Sequence, residues 1–291
     1  MESFHFEGVE IAPGTGKEVS LELGDGPAGN PRSIPVYIIH GTKPGPVLAL
    51  TAGIHGDELN GVSVAHHLIH GDDHIAGTDD DRISRDELAG TIICVPVVNI
   101  EGMLLEQRGA PDNKDINRLF PGKAQGNQSQ RIAYALFQSV VKKADCLIDL
   151  HSAPHSRTNL PHVRANFDQK ECMDLARAFG TQIILHSKGP KGSLRRAATN
   201  DGTPTILLEA GTAHRFEMEA VHAGIEGVLN VMEHLGMIER NVRQPAVRLL
   251  VRRSKWARSE SGGLLYSRVN VGEHVSKGQE IALVTDPLGE K

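Results

Sequence analysis

Short, almost uninterrupted apolar runs rich in β-branched residues recur at 36–39, 47–50, 91–98, 146–150, 182–185 and 204–208. Runs without polar alternation belong to strands buried on both faces, as in a sheet covered by helices. Between them, stretches at 59–69, 130–143, 169–179 and 217–235 repeat apolar residues three and four positions apart, the signature of helices with one buried face. Strands and helices in this alternation predict an α/β fold: a mixed, mainly parallel sheet with helices on both faces.

Two segments depart from that rhythm. Residues 70–86 carry Asp72, Asp73, Asp79, Asp80 and Asp81 with weak periodicity, and read as a solvated surface insertion. His74 and these aspartates lack the alternating spacing and turn glycine of a calcium loop. After about residue 240 strand-like runs at 247–251, 263–266 and 281–285 follow one another with turn signals and no helix between them. The expected organisation is therefore a catalytic domain over 1–240 and a small all-β domain over 241–291. Gly272-Glu273-His274-Val275 and Lys277-Gly278-Gln279 resemble the paired turns of a biotinyl or lipoyl barrel half, without an attachment lysine in the Met-Lys-Met or Asp-Lys-Ala context. Too few strands remain in this tail to close a barrel alone. Either earlier strands complete it or the domain is shorter than in relatives.

Composition narrows the functional classes. The 291 residues are 39% hydrophobic with a net charge of -5, and the basic residues are scattered, so no footprint for nucleic acid or an anionic membrane is present. No apolar stretch is long enough for a membrane span and no leader pattern opens the chain. Of the three cysteines, Cys94 and Cys146 lie in apolar strands and Cys172 in a helical pattern, which fits a reducing cytoplasm. The expected partner is a small molecule; self-association into a homo-oligomer is left open.

Candidate chemistry is concentrated at strand ends. His55 and Glu58 follow the run at 47–50, and His151 ends the run at 146–150, so all three fall where open α/β sheets build their sites. An H-x-x-E pair alone is equally a turn-capping histidine followed by a solvated helix start, and His151 alone is equally a hydrogen-bonded strand terminus. Gly53 and Gly56, however, permit a tight turn that brings Glu58 into the same pocket as His55. Two imidazoles and a carboxylate from two elements form a catalytic Zn2+ site, one ion per chain, with a position left for water whose pKa falls to about 7. Glu209, at the mouth of the strand 204–208, is placed to move a proton from that water to a leaving nitrogen; otherwise it is a solvated strand end. Asp115 is either the partner of a ligand imidazole or a turn cap. Arg108, Asn117 and Arg118, in the loop 99–122, supply the cationic and polar groups that a substrate carboxylate and a developing oxyanion demand, and Arg164 is a further anion-binding candidate.

Five segments in order carry a resemblance: Gly53-Ile54-His55-Gly56-Asp57-Glu58, 96–102 (Pro-Val-Val-Asn-Ile-Glu-Gly), Asp115-Ile116-Asn117-Arg118-Leu119-Phe120-Pro121-Gly122, Asp149-Leu150-His151-Ser152 and Glu209-Ala210-Gly211. Together they resemble the succinylglutamate desuccinylase and aspartoacylase family, a branch of the zinc carboxypeptidase fold, from about residue 34 onward. The resemblance implies His55, Glu58 and His151 as zinc ligands, Glu209 as general base and Arg108 assisting the carbonyl oxygen. It implies Asn117 and Arg118 on the substrate carboxylate and Asp115 behind His55. The reading is a zinc-dependent amidohydrolase acting on an N-acyl amino acid or similar carboxylated amide, with esters as further substrates. A zinc carboxypeptidase and a non-catalytic metal-binding or interaction protein are the alternatives. The acyl group and the amino-acid side chain are not read from the sequence.

Overall fold

The computed structural model describes residues 2–26, 29–71, 83–240 and 249–290. Most of the acidic insertion, including His74 and its aspartates, lies outside the described residues, as do 241–248. The chain divides into two units, Met1–Val251 and Arg252–Lys291.

In the larger unit a hairpin of β1 (Phe4–Phe6) and β2 (Val9–Ile11) is followed by β3 (Thr15–Asp25), β4 (Pro31–His40), β5 (Lys43–Ala52), α1 (Asn60–His70) and β6 (Ala89–Val95). Next come α2 (Ile100–Leu104), α3 (Gln128–Ser139), β7 (Cys146–Ala153), β8 (Asn159–Ala165), α4 (Lys170–Phe179) and β9 (Ile183–His186). The unit finishes with α5 (Leu194–Asp201), β10 (Thr205–Thr212), α6 (Met218–His234) and β11 (Leu249–Val251). The described residues form a nine-stranded sheet in the order β11-β9-β8-β10-β7-β5-β6-β4-β3. Its centre is parallel, with β10 on β7, β7 on β5 and β5 on β6, whereas β8 runs antiparallel to β10 and β4 antiparallel to β6 and β3.

Successive residues of a strand point to opposite faces, and the buried residues sort accordingly into two cores. Leu48, Leu50 and Ala52 of β5 pack with α1, α4 and α6 on one face, while Ala49 joins α3, α5 and the N-terminal hairpin on the other. The expected mixed sheet with helices on both faces is thus the observed fold. Differences concern elements with a weak apolar signal. β3 buries only Val19 and Leu21 among exposed neighbours at the sheet edge. β8 contains Pro161 and is mostly half-buried. α5 is polar, and its ends are marked instead by the Ser193 side chain accepting from Arg196 N–H and by left-handed Gly202. α3 starts at 128 rather than 130 because Asn127 and Gln130 form a capping box.

The run at 247–251, read from sequence as part of the tail, supplies β11, which pairs in parallel with β9 at the edge of the large sheet. The smaller unit contains an antiparallel pair, β12 (Leu264–Ser267) with β13 (Ala282–Thr285). Two of its turns fall at Gly272 and Gly278, both with positive φ, in the segments whose spacing predicts turns.

Candidate metal centre and active site

β6 lies on one side of β5 and β7 on the other, so the chain changes direction across the sheet between β5 and β7. Ligand crevices in open α/β sheets form at the carboxyl ends of strands flanking such a point. His55 and Glu58 lie in the turn between β5 and α1, and His151 lies within β7. Gly56 makes the turn tight: a Cβ there would sit 2.1 Å from the Gly102 carbonyl carbon, so the backbone packs directly onto α2. Asn60 fixes the start of α1. Its amide nitrogen lies 3.1 Å from Ser152 Oγ and 3.3 Å from both Ala210 O and Thr212 O, and its oxygen accepts from Glu217 N–H at 2.8 Å.

Among the described residues His55, Glu58 and His151 are the one group of three or more metal-ligating side chains, with ligand atoms all within 4.8 Å of one another. All three are buried. Glu58 bridges the imidazoles, Oε1 lying 2.7 Å from His55 Nδ1 and Oε2 2.7 Å from His151 Nδ1. The opposite ring nitrogens donate to carboxylates: His55 Nε2 to Asp115 at 3.1 Å, His151 Nε2 to Asp149 at 2.9 Å. Each Nδ1 thereby faces the common point beside Glu58, the ring orientation that ligand histidines take when a carboxylate holds the other nitrogen. His55 Nδ1 is moreover buried without a hydrogen-bond partner despite its closeness to Glu58. A donor set of two imidazoles and a carboxylate, with one buried nitrogen left for a ligand bond, fits Zn2+ or a similar divalent ion.

Burial works against charge here, and mutual attraction outweighs it. For His55 burial is opposed by Glu58 and Asp115, and for His151 by Asp149 and Glu58, so both imidazoles are raised. Glu58, although fully buried, is held well below the usual carboxylate range by His55 and His151. Asp115 is likewise held low, its partial burial offset by His55, Arg108 and Arg118. Its Oδ1 also accepts from Asn117 N–H at 2.9 Å, so imidazole partner and turn cap are one and the same carboxylate.

Glu209 stands opposite His151 in the β10–β7 register. Directly after it the register of β10 shifts against both neighbours, at the left-handed Gly211. Such a bulge re-aims the adjoining side chain. Asn159 Nδ2 donates to Glu209 Oε2 at 2.8 Å, and Arg164 Nη2 lies 3.6 Å from Oε1. Burial raises the Glu209 pKa, with Arg164 opposing. Arg108 donates to Glu58 at 2.9 Å and to Asp115 at 3.3 Å. Asn117 is buried, its Oδ1 accepting from Leu194 N–H at 2.8 Å, which leaves Nδ2 3.5 Å from His151 Nε2. Arg118 donates to the Asn117 carbonyl at 2.7 Å and remains half exposed. Hydrogen bonds, ion pairs and strand register thus link His55, Glu58, Arg108, Asp115, Asn117, Arg118, His151, Arg164 and Glu209 to one another, whereas His74 lies outside the described residues.

Sequence reasoning missed Asp149, Asn159 and Arg195. Arg195 is buried and held by Ser187 Oγ at 3.2 Å and the Ser187 carbonyl; burial and nearby Arg164 push it down to about 10. Its signal was faint, but Asp149 had one: a carboxylate inside an apolar strand needs a buried partner.

Residues 44–235 match the family described as the succinylglutamate desuccinylase/aspartoacylase catalytic domain. The chain belongs to this family. A relative within reach of sequence comparison is the N-alpha-acetyl-L-2,4-diaminobutyric acid deacetylase of Halomonas elongata, 27% identical over 265 residues, covering 87% of this chain and 74% of the relative. The crystal structure of the succinylglutamate desuccinylase/aspartoacylase from Rhodobacter sphaeroides superposes with a TM-score of 0.81 at 25% identity, over 93% of this chain and 83% of that one. The product-bound ectoine utilization protein EutE from Ruegeria pomeroyi shares the fold, with a TM-score of 0.81 at 23% identity over 94% of this chain and 83% of its own. As a member of this family of deacylases, the chain has the fold anticipated from its five motifs. Among the described residues no helix is long and apolar enough to cross a membrane.

Proposed function

We propose that this protein is a metal-dependent amidohydrolase that removes the acyl group from a small N-acyl amino acid. The observation that supports the reading is the register of Glu209 beside His151, a mostly buried carboxylate one strand away from the His55–Glu58–His151 group. A Zn2+ ion held by His55, Glu58 and His151 would supply a Lewis acid that polarises the amide carbonyl and acidifies water. Glu209, held by Asn159, accepts the proton of the attacking water on its carboxylate and delivers it to the leaving nitrogen. Arg108 faces the carbonyl oxygen as charge develops there. Asn117 and Arg118 orient the substrate through its α-carboxylate, and Arg164 adds a cation on the Glu209 side of the site. The deacetylase activity named for the Halomonas relative makes N-acetylated diamino acids the first compounds to test.

The test is a panel of N-acetyl, N-succinyl and N-formyl amino acids alongside short peptides and esters, with chelation as control. Turnover of an acylated amino acid, abolished by chelator, supports the reading; exclusive cleavage of peptide C-termini replaces it with the carboxypeptidase alternative. Glu209→Gln is expected to retain metal and lose about a thousandfold or more in kcat. Unchanged kcat in that variant rejects Glu209 as the base.

A further inference from the structure

On the outer face of α1, away from the active site, three histidines line a cavity of about 460 Å³. Its wall is Ser63, His66, His67 and His70 of α1, Gly71 after it, and Phe216 and Met218 at the start of α6. His66 and His70 are four residues apart and both exposed, while Val62, Val64, Leu68 and Ile69 carry the opposite face into the core. Side chains at this spacing lie one above the other, with Cβ atoms about 5–6 Å apart, and imidazoles there can turn toward one ion at about 2.0–2.1 Å. We propose that His66 and His70 form a second metal site, a two-imidazole chelate for a late first-row divalent ion, open to solvent and separate from the His55–Glu58–His151 centre.

Three features make the pair more than a chance repeat. First, α1 is anchored at its beginning by Asn60 and closed at its end by Gly71 N–H donating to the His67 carbonyl, so the two positions are held on a fixed turn. Second, the cavity gives room for the waters or exogenous ligand that complete coordination, and Met218 brings a thioether to the same wall. Imidazole suits copper, and the general order of affinities puts Cu2+ above Ni2+ and Zn2+. Third, partial burial and the neighbouring His70 hold the His66 pKa below its usual value, which keeps its ring neutral, the form that binds metal. His70 is also steadied on its other side by Tyr37, whose ring meets it edge-on at 5.7 Å.

The experiment is a Cu2+ titration of the full chain, followed by calorimetry and electron paramagnetic resonance, for the parent protein and for His66→Gln/His70→Gln. The catalytic centre is common to both proteins and cancels in the difference. The parent is expected to bind one Cu2+ more than the double variant, with hyperfine splitting from two imidazole nitrogens. Each single variant, His66→Gln or His70→Gln, should weaken that extra binding by about tenfold or more through loss of the chelate. Circular dichroism and deacylase activity should be unchanged, because both side chains are on the surface. Superimposable isotherms and spectra for parent and double variant overturn the proposal. Should the double variant fail to fold, equal Cu2+ affinity of parent and either single variant overturns it as well.

Discussion

The two imidazoles of the candidate metal centre are held in place by unequal surroundings. His151 rests on Asp149, a fully buried carboxylate in the same strand, which also accepts from Thr51 Oγ1 at 2.7 Å on the neighbouring strand. His55 rests on Asp115, a loop carboxylate that is 27% exposed and shared with Arg108, Arg118 and the Asn117 backbone. One half of the centre is part of the sheet; the other half is tied to the loop that also carries the candidate substrate-binding groups. The comparison teaches that the two candidate ligand imidazoles differ in support: His151 is held by buried sheet groups alone, whereas His55 shares its carboxylate with the exposed loop cations.

Removing the sheet-side carboxylate should do the most damage. Asp149→Ala leaves a buried imidazole and a buried hydroxyl unpaired, with an expected loss of about 3–5 kcal/mol in denaturant unfolding. Metal affinity, read by competition with a chelator, should fall about 100-fold. Asp115→Ala ranks second: about tenfold in metal affinity, with a loss of about 1–2 kcal/mol in unfolding free energy, smaller because Arg108 and Arg118 remain in contact with water while the buried His55 and Asn117 N–H lose a partner. Equal losses of stability in the two variants would erase the distinction between sheet and loop.

The smallest effect sharpens the picture on the Glu209 side. In the proposed mechanism Glu209 acts as a base when ionised, so activity is expected to fall as pH drops through its pKa, which burial raises above the ordinary carboxylate value. Arg164 opposes the shift, and Arg164→Gln should therefore move the acid limb of kcat/KM further up, by about half a pH unit given the exposure of the guanidinium. An acid limb that stays put or moves down removes Arg164 from the control of Glu209.

Sequence reasoning reached the parts of the site whose chemistry is written in local pattern. His55 and Glu58 share a glycine-flanked turn, and His151 and Glu209 end apolar runs, so strand positions alone put them at one edge. What it missed depends on pairing across the sheet. Asn159 touches Glu209 because β8 lies antiparallel beside β10, a neighbour relation that no spacing reveals. Arg195 interacts electrostatically with Arg164, Asp149 and Glu209, and the helix that carries it is joined to the loop by Asn117 accepting from Leu194 N–H, a link between segments far apart in the chain. The edge strand β3 was hard to read for a related reason, because a strand with one neighbour and a wet face carries little apolar signal, whereas the run that gives β11 was legible as a strand but not its pairing with β9.

Asn60 has a consequence for how this scaffold can diversify. One amide reaches the backbone or hydroxyl groups of β7, β10 and the entry to α6 from the first residue of α1, two positions beyond Glu58. The turn bearing His55 and Glu58, the strand bearing His151 and the strand bearing Glu209 are thus bolted to a common chassis. Loops such as 99–122 can vary without disturbing that anchorage, so the register that sets Glu209 beside His151 travels unchanged with the chassis.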